Sequence, residues 1–220
     1  MPNPSIRAVL WDFGGVITDS PFEEFRRFEA AHGLPRDFIR TVNTINPDAN
    51  AWARFERSEL SLDAFDRAFE AESRAAGHAV RGADIAPLLY GAVRPSMVAA
   101  LKCCKQHFKN ACLTNNVITK ASHGLPTTEE RAAEVIRVLA LFDEVVESSK
   151  IGVRKPEPRF YEIALQRLGI QAEEAVFLDD LGINLKPARA MGMITIKVID
   201  PDAALQELAT LLRIPLRTLA

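Results

Sequence analysis

The run Ala8-Val9-Leu10-Trp11-Asp12-Phe13-Gly14-Gly15-Val16-Ile17-Thr18-Asp19 constrains the fold more than any other stretch of the chain. Its apolar residues stop at a single Asp, and paired glycines follow at once. Such a run reads as a buried strand that delivers one carboxylate to a backbone able to turn sharply. In open α/β sheets ligands bind just beyond the carboxyl ends of the strands. The meaning of Asp12 therefore depends on which other strands end beside it.

Alternation of strand and helix begins after Arg94-Pro95. A helix from about Ser96 to His107 leads into a short apolar strand, Asn110 to Asn116, that ends in Thr114-Asn115-Asn116. A helix from about Thr128 to Leu141 precedes a strand over Glu144 to Ser149. Gly152, Lys155 and Pro156 come next, with a helix opening near Glu157. The strand Ala175-Val176-Phe177-Leu178 ends in Asp179-Asp180, and Gly182 and Asn184 open the next helix. A last strand, Ile194 to Ile199, precedes an amphipathic helix from about Asp202 to Leu212. Five short strands separated by helices predict an α/β, doubly wound Rossmann-like parallel sheet with right-handed crossovers.

Between the first strand and this alternation the texture differs. From Pro21 to about Tyr90, Phe22, Phe25, Phe28, Trp52, Phe55, Leu62, Phe65 and Phe69 recur at helical spacing. Gly33 with Pro35, Asn46-Pro47-Asp48, Ser61 as an N-cap and Gly77 as a stop divide the stretch into short helices. The aromatic stripe reads as the core of a small bundle, with Trp52 and Phe55 buried in it, rather than as a ligand box. An insertion at this point sits over the carboxyl end of the first strand, as a lid would. The expected division is a core of residues 1–18 and 92–220 and a helical cap of residues 19–91.

With 220 residues, 48% of them hydrophobic, the chain can bury a sizeable core. The formal net charge of -2 and the lack of a Lys/Arg block argue against nucleic acid or an anionic membrane as the main partner. No apolar run reaches bilayer-spanning length, and Met1 to Ser5 lack the pattern of a signal peptide, so a cytoplasmic location is expected. Cys103, Cys104 and Cys112 fit no metal spacing and leave one thiol unpaired in any disulfide scheme, which suggests reduced thiols.

The expected strand ends supply Asp12, Thr114 with Asn115, Lys155, and Asp179 with Asp180. Each has a bland reading alone: Asp179 a helix cap, Thr114 a strand end, Lys155 a solvated charge. A parallel sheet brings them to one edge together, and that is hard to reach by chance. The set suits phosphoryl transfer to a carboxylate. Asp12 attacks phosphorus in line, and water hydrolyses the aspartyl phosphate. Two anions meet in that attack, so Mg²⁺ is the expected cofactor, with Asp12 and Asp180 as ligands and Asp179 beside them. Lys155 balances the remaining charge, while Thr114 and backbone amides donate to the equatorial oxygens. The implied partner is a small phosphorylated substrate.

Asp12-Phe13-Gly14-Gly15-Val16, Leu113-Thr114-Asn115, Lys155-Pro156-Glu157-Pro158 and Phe177 through Asn184 together resemble the four motifs of the haloacid dehalogenase (HAD) superfamily, in that family's order. Arg154 to Pro158 and Phe177 to Arg189 most resemble the N-terminal phosphatase domain of vertebrate soluble epoxide hydrolases, and are similar to HAD regions attached to some acyl-CoA dehydrogenases. There is no Gly-x-Ser-x-Gly elbow, so epoxide opening is not implied. The resemblance implies a cap between the first and second motifs, and the backbone carbonyl of Gly14 as a metal ligand.

One position departs from the pattern. Phosphatases of this family usually carry a second Asp two residues after the nucleophile, as acid and then base, and here that residue is Gly14. Loss of such a group costs about 10²- to 10⁴-fold in rate. That points to a slow phosphatase or to a substrate with a good leaving group; Asp19 reads as a turn residue rather than a substitute. Two alternatives follow. One is a non-catalytic module that keeps the Mg²⁺ and phosphate pocket. The other is a metal-free 2-haloacid dehalogenase, against which the acid pair argues, because close carboxylates without a cation repel the nucleophile's charge. His32, His78, His107 and His123 lack a second ligand at metal spacing and read as structural or solvated. Lys102, Lys105 and Lys109 read as the solvated face of a core helix. Asn184 either pins the loop carrying Asp180 or caps its helix.

Overall fold

The computed structural model describes residues 6–89, 91–116 and 129–216. Strand β1 (Ala8–Trp11) runs into a tight turn at Phe13–Ile17. Five helices follow: α1 (Pro21–Ala31), α2 (Phe38–Thr44), α3 (Ala51–Glu56), α4 (Leu62–Ala75) and α5 (Gly82–Ile85). The alternating part comprises α6 (Pro95–Cys104), β2 (Lys109–Thr114), α7 (Glu129–Leu139), β3 (Glu144–Glu147), α8 (Ser148–Ile151) and α9 (Pro158–Leu168). It ends with β4 (Ala175–Asp179), α10 (Gly182–Ala190), β5 (Ile194–Lys197) and α11 (Pro201–Leu212). Pro21, Pro95, Pro158 and Pro201 each stand first in a helix, where the missing N–H has no intrahelical partner to lose.

The five strands form one parallel sheet in the order β3-β2-β1-β4-β5, which makes this an α/β Rossmann-like fold. β1 is central and is covered on both faces, as parallel strands require. Val9 and Trp11 face Met97 and Leu101 of α6 and Leu205 and Leu208 of α11. Ala8 and Leu10 face Phe160, Tyr161 and Leu165 of α9 and Leu185 of α10. In register, Trp11 lies between Cys112 of β2 and Leu178 of β4, so the residues that follow all three strands emerge together.

Helices α1 to α5 gather around their own core, with Phe25, Trp52, Phe55, Phe65 and Phe69 buried at its centre. Phe55 stacks on Phe65 at 4.2 Å, and Trp52 meets Phe25 edge-on at 5.8 Å. Ser61 Oγ accepts from the Ala64 N–H at 3.3 Å, the N-cap expected for α4. The chain's exit to this insertion and its return from it are tied together. Thr18 bridges Val93, Asp19 pairs with Arg94 at 3.1 Å, and Arg94 Nη1 donates to the Gly15 carbonyl at 2.8 Å.

Two sequence expectations are corrected. α6 stops at Cys104, so Lys105 and Lys109 do not continue a solvated helical face. Lys105 reaches the Leu141 carbonyl at 2.6 Å, and Lys109 opens β2 and donates to the Leu168 carbonyl at 2.6 Å. β3 is shorter than expected: Ser148 and Ser149 open a helical turn instead of extending the strand.

Candidate active site

Asp12 leaves β1 with its N–H donating to the Leu178 carbonyl of β4 at 2.8 Å, and its Oδ1 accepts from the Phe13 N–H at 2.6 Å. The two glycines that follow differ in kind. Gly15 has φ +83°, and a Cβ there would overlap the Asp180 carboxylate, so both backbone and space exclude a side chain. Gly14 has an ordinary φ of -73° and ψ of 125°, and a Cβ there would meet only Pro21 Cδ, at 3.9 Å.

Lys155 is 1% exposed and forms the hub of the site. Its Nζ lies 2.8 Å from Asp12 Oδ1 and 2.8 Å from Asp179 Oδ2, and 5.6 Å from the centre of the Phe177 ring. Asp179 also accepts from the Leu181 N–H at 2.8 Å and from Asn184 Nδ2 at 3.1 and 3.0 Å. Asn184 therefore pins Asp179 itself, and Tyr161 holds Asn184 by donating to its carbonyl at 2.7 Å. Asp180 is less enclosed and accepts from Ser20 Oγ at 3.3 Å.

Burial opposes the charged form of Lys155, but the Asp12 and Asp179 carboxylates outweigh it and hold the ammonium above its usual range. Burial drives the Asp12 carboxyl well above the ordinary carboxylate range. Lys155 opposes that rise, and Asp179 and Asp180 add to it. Asp180 is pushed up to about 6, by burial first and by Asp179 next. Asp12, Asp179 and Asp180 each offer an oxygen, all within 4.8 Å of one another. The ammonium pairs with two of these three clustered carboxylates, and the third adds negative charge that a hard, oxygen-seeking dication suits.

Of the other expected residues, Thr114 closes β2 beside this centre. The Asn115 side chain clamps the Lys155 backbone, with Oδ1 accepting from its N–H and Nδ2 donating to its carbonyl, both at 2.9 Å. Asp19 is engaged with Arg94 and not with the site. His32 bonds to the Phe28 carbonyl, and His78 and His107 pack on Phe38 and Phe108; His123 lies outside the described residues. Sequence reasoning missed Glu56 and Arg154, which meet at 2.6 Å beside Asn115. One signal was available: Glu56 is a charge on the same helical face as Trp52, four residues along a stripe read as core.

Residues 6–192 match the haloacid dehalogenase-like hydrolase family. The chain is 35% identical over 219 residues to acyl-CoA dehydrogenase family member 10 of Mus musculus, covering 96% of this chain and 20% of that protein. It is 31% identical over 216 residues to bifunctional epoxide hydrolase 2 of Mus musculus, covering 93% and 38%. The chain thus spans less than half the length of either relative. A glyceraldehyde 3-phosphate phosphatase of Methanocaldococcus jannaschii is 27% identical over 207 residues, covering 88% of this chain and 85% of that protein.

Among solved structures, a HAD family enzyme of Bacteroides thetaiotaomicron in complex with magnesium and inorganic phosphate superposes with a TM-score of 0.58 at 18% identity, over 88% of this chain and 94% of that one. An L-2-haloacid dehalogenase of Xanthobacter autotrophicus with chloropropionic acid covalently bound gives 0.59 at 19% identity, over 96% and 85%. Both likenesses are likenesses of fold. With four motifs meeting at one edge of a parallel sheet and a family match over most of its length, this chain belongs to the haloacid dehalogenase-like hydrolases.

Proposed function

We propose that this hydrolase is a Mg²⁺-dependent phosphatase of small phosphorylated metabolites that works through an aspartyl phosphate on Asp12. The observation that carries the reading is the buried Lys155 bridge between Asp12 and Asp179 with Asp180 alongside. An anion entering a centre already rich in carboxylates needs a cation there, and the clustered oxygens of Asp12, Asp179 and Asp180 fit a hard one. A phosphatase relative similar along most of its length, and a structural neighbour complexed with magnesium and phosphate, support the same reading.

Asp12 would hold the metal with one oxygen and attack phosphorus with the other. Asp180 and the Gly14 carbonyl would complete the protein ligands, with Asp179 beside them holding Lys155 in place. Lys155 would hold one phosphoryl oxygen, while the Thr114 hydroxyl and nearby backbone N–H groups would take the others. Bound Mg²⁺ supplies charge neutralisation and polarisation of the phosphoryl group. With Gly14 where the family's usual acid stands, the substrates favoured are those whose leaving group departs without protonation, such as acyl and aryl phosphates.

Phosphate release from p-nitrophenyl phosphate, acetyl phosphate and a panel of sugar, lipid and nucleotide monophosphates tests this, run with Mg²⁺, with EDTA and with Asp12→Asn. Turnover that requires both the metal and Asp12 is the expected result. The missing acid at Gly14 favours a second reading, a module that binds Mg²⁺ and phosphate without turnover. Binding of both with no release from any substrate would select it. Chelator-insensitive chloride release from 2-chloropropionate would instead select a dehalogenase.

A further inference from the structure

Glu56 is the last residue of α3, in the helical insertion, yet it is 8% exposed and most of its partners belong to the sheet domain. Its Oε1 accepts from Trp52 Nε1 within α3 at 3.0 Å. Its Oε2 accepts from Arg154 Nε at 2.6 Å and from Asn115 Nδ2 at 3.3 Å. Its backbone carbonyl accepts from Ser148 Oγ at 2.7 Å. Arg154 reaches back to the insertion a second time, with Nη1 donating to the Pro47 carbonyl at 3.0 Å.

These contacts converge on Lys155. Arg154 precedes it in the chain, and Asn115 bonds to both its backbone N–H and its carbonyl. A carboxylate buried between two packing units is costly, and an apolar contact would hold them together at less expense. What the ion pair adds is registry: it forms only when α3 and the Arg154-Lys155 segment are correctly placed.

We propose that Glu56 is a positioning residue for the phosphate site. Through Arg154 and Asn115 it makes the seating of the helical insertion and the setting of Lys155 a single event. The phosphate part of this inference rests on the function proposed above; the coupling itself does not. When the insertion lifts, Asn115 and Arg154 lose their shared partner and the Lys155 backbone loosens. When it seats over substrate, the ammonium is brought to its place between Asp12 and Asp179.

The test uses Glu56→Gln, which keeps the shape and removes the charge, and Arg154→Ala, which opens the same contact from the sheet side without touching the insertion's core. Amide hydrogen exchange of the ligand-free protein is read in the segments spanning 111–116 and 152–158. Inorganic phosphate binding in the presence of Mg²⁺ is read by calorimetry. In proteins that melt within a few degrees of wild type, both variants are expected to raise exchange in both segments and to weaken phosphate binding at least about tenfold. The double variant is expected to lose less than the sum of the two single losses, because the Glu56–Arg154 contact is common to both.

Unchanged exchange and unchanged phosphate affinity in folded Glu56→Gln would overturn the proposal, as would strictly additive losses. Faster exchange in the variants of a protein whose wild type neither binds nor releases phosphate would uphold the coupling and overturn the phosphatase reading instead.

Discussion

The Lys155 ammonium and the Asp179 carboxylate meet at 2.8 Å where neither side chain reaches solvent. Such a pair is stable only while both members are present, because either one alone is a buried charge. Replacing Lys155 with Met is therefore expected to lower stability by about 3–5 kcal/mol, measured by urea unfolding. Asp12, Asp179 and Asp180 would then face one another without a cation. Added Mg²⁺ should recover part of the loss, whereas it should not restore turnover, since the phosphoryl oxygen would lack its ammonium partner.

The two glycines after Asp12 are expected to respond oppositely to substitution. Gly15→Ala forces a Cβ onto a backbone at φ +83° and into the Asp180 carboxylate, a cost of about 1–3 kcal/mol. Gly14→Ala meets ordinary dihedrals and open space, and should stabilise by about 0.4–1 kcal/mol through the unfolded chain. Thermal melts of the two variants check this pair.

Gly14→Asp places an acid in that open space. It is expected to raise kcat/KM on alkyl phosphates, whose leaving groups need a proton, by about 10²-fold, with little change on aryl phosphates. Equal gains on both substrate classes, or none on either, would show that leaving-group protonation is not what limits the enzyme.

The raised carboxyl of Asp180 sets a pH dependence. A carboxyl whose value climbs from 3.8 to about 6 on folding binds more protons in the native state. Its contribution to stability is therefore complete below pH 3.8 and is lost as pH rises through about 6. In EDTA, stability is expected to decline across that window, and Asp180→Asn should remove Asp180's share of the decline while leaving that of the Asp12 carboxyl, which burial also raises. The melting-temperature gain from Mg²⁺ should grow across the same window, because the metal takes the place of the proton.

The three thiols are expected to differ. Burial pushes Cys104 up to about 12 and Cys112 well above its usual range, while Cys103 is half-buried. One thiol should therefore react with a disulfide reagent near pH 8 in the native protein, and all three after denaturation.

The alternation of short apolar strands with helices, the prolines at helix starts and the Ser61 cap are local properties, and the chain's sequence determined them without help from distant residues. The strand-end set of Asp12, Thr114, Asn115, Lys155, Asp179 and Asp180 was legible for a related reason. A parallel sheet sends every strand end to the same edge, so the strands alone bring Asp12, Thr114, Asn115, Asp179 and Asp180 together, whereas Lys155 lies beyond α8 and is held at that edge by Asn115.

The tertiary structure alone decided how they divide the work. Nothing in the Asp179-Asp180 pair indicates that the first is saturated by Lys155, Asn184 and the Leu181 N–H while the second stays more open beside Ser20. Nor does the stripe containing Trp52 and Phe55 reveal that Glu56 reaches Asn115 and Arg154, 59 and 98 residues further along the chain. Helical periodicity reports which face of α3 is buried. What that face is buried against depends on how the insertion packs on the sheet, and that is governed by shape and charge on surfaces built from residues far apart in the sequence.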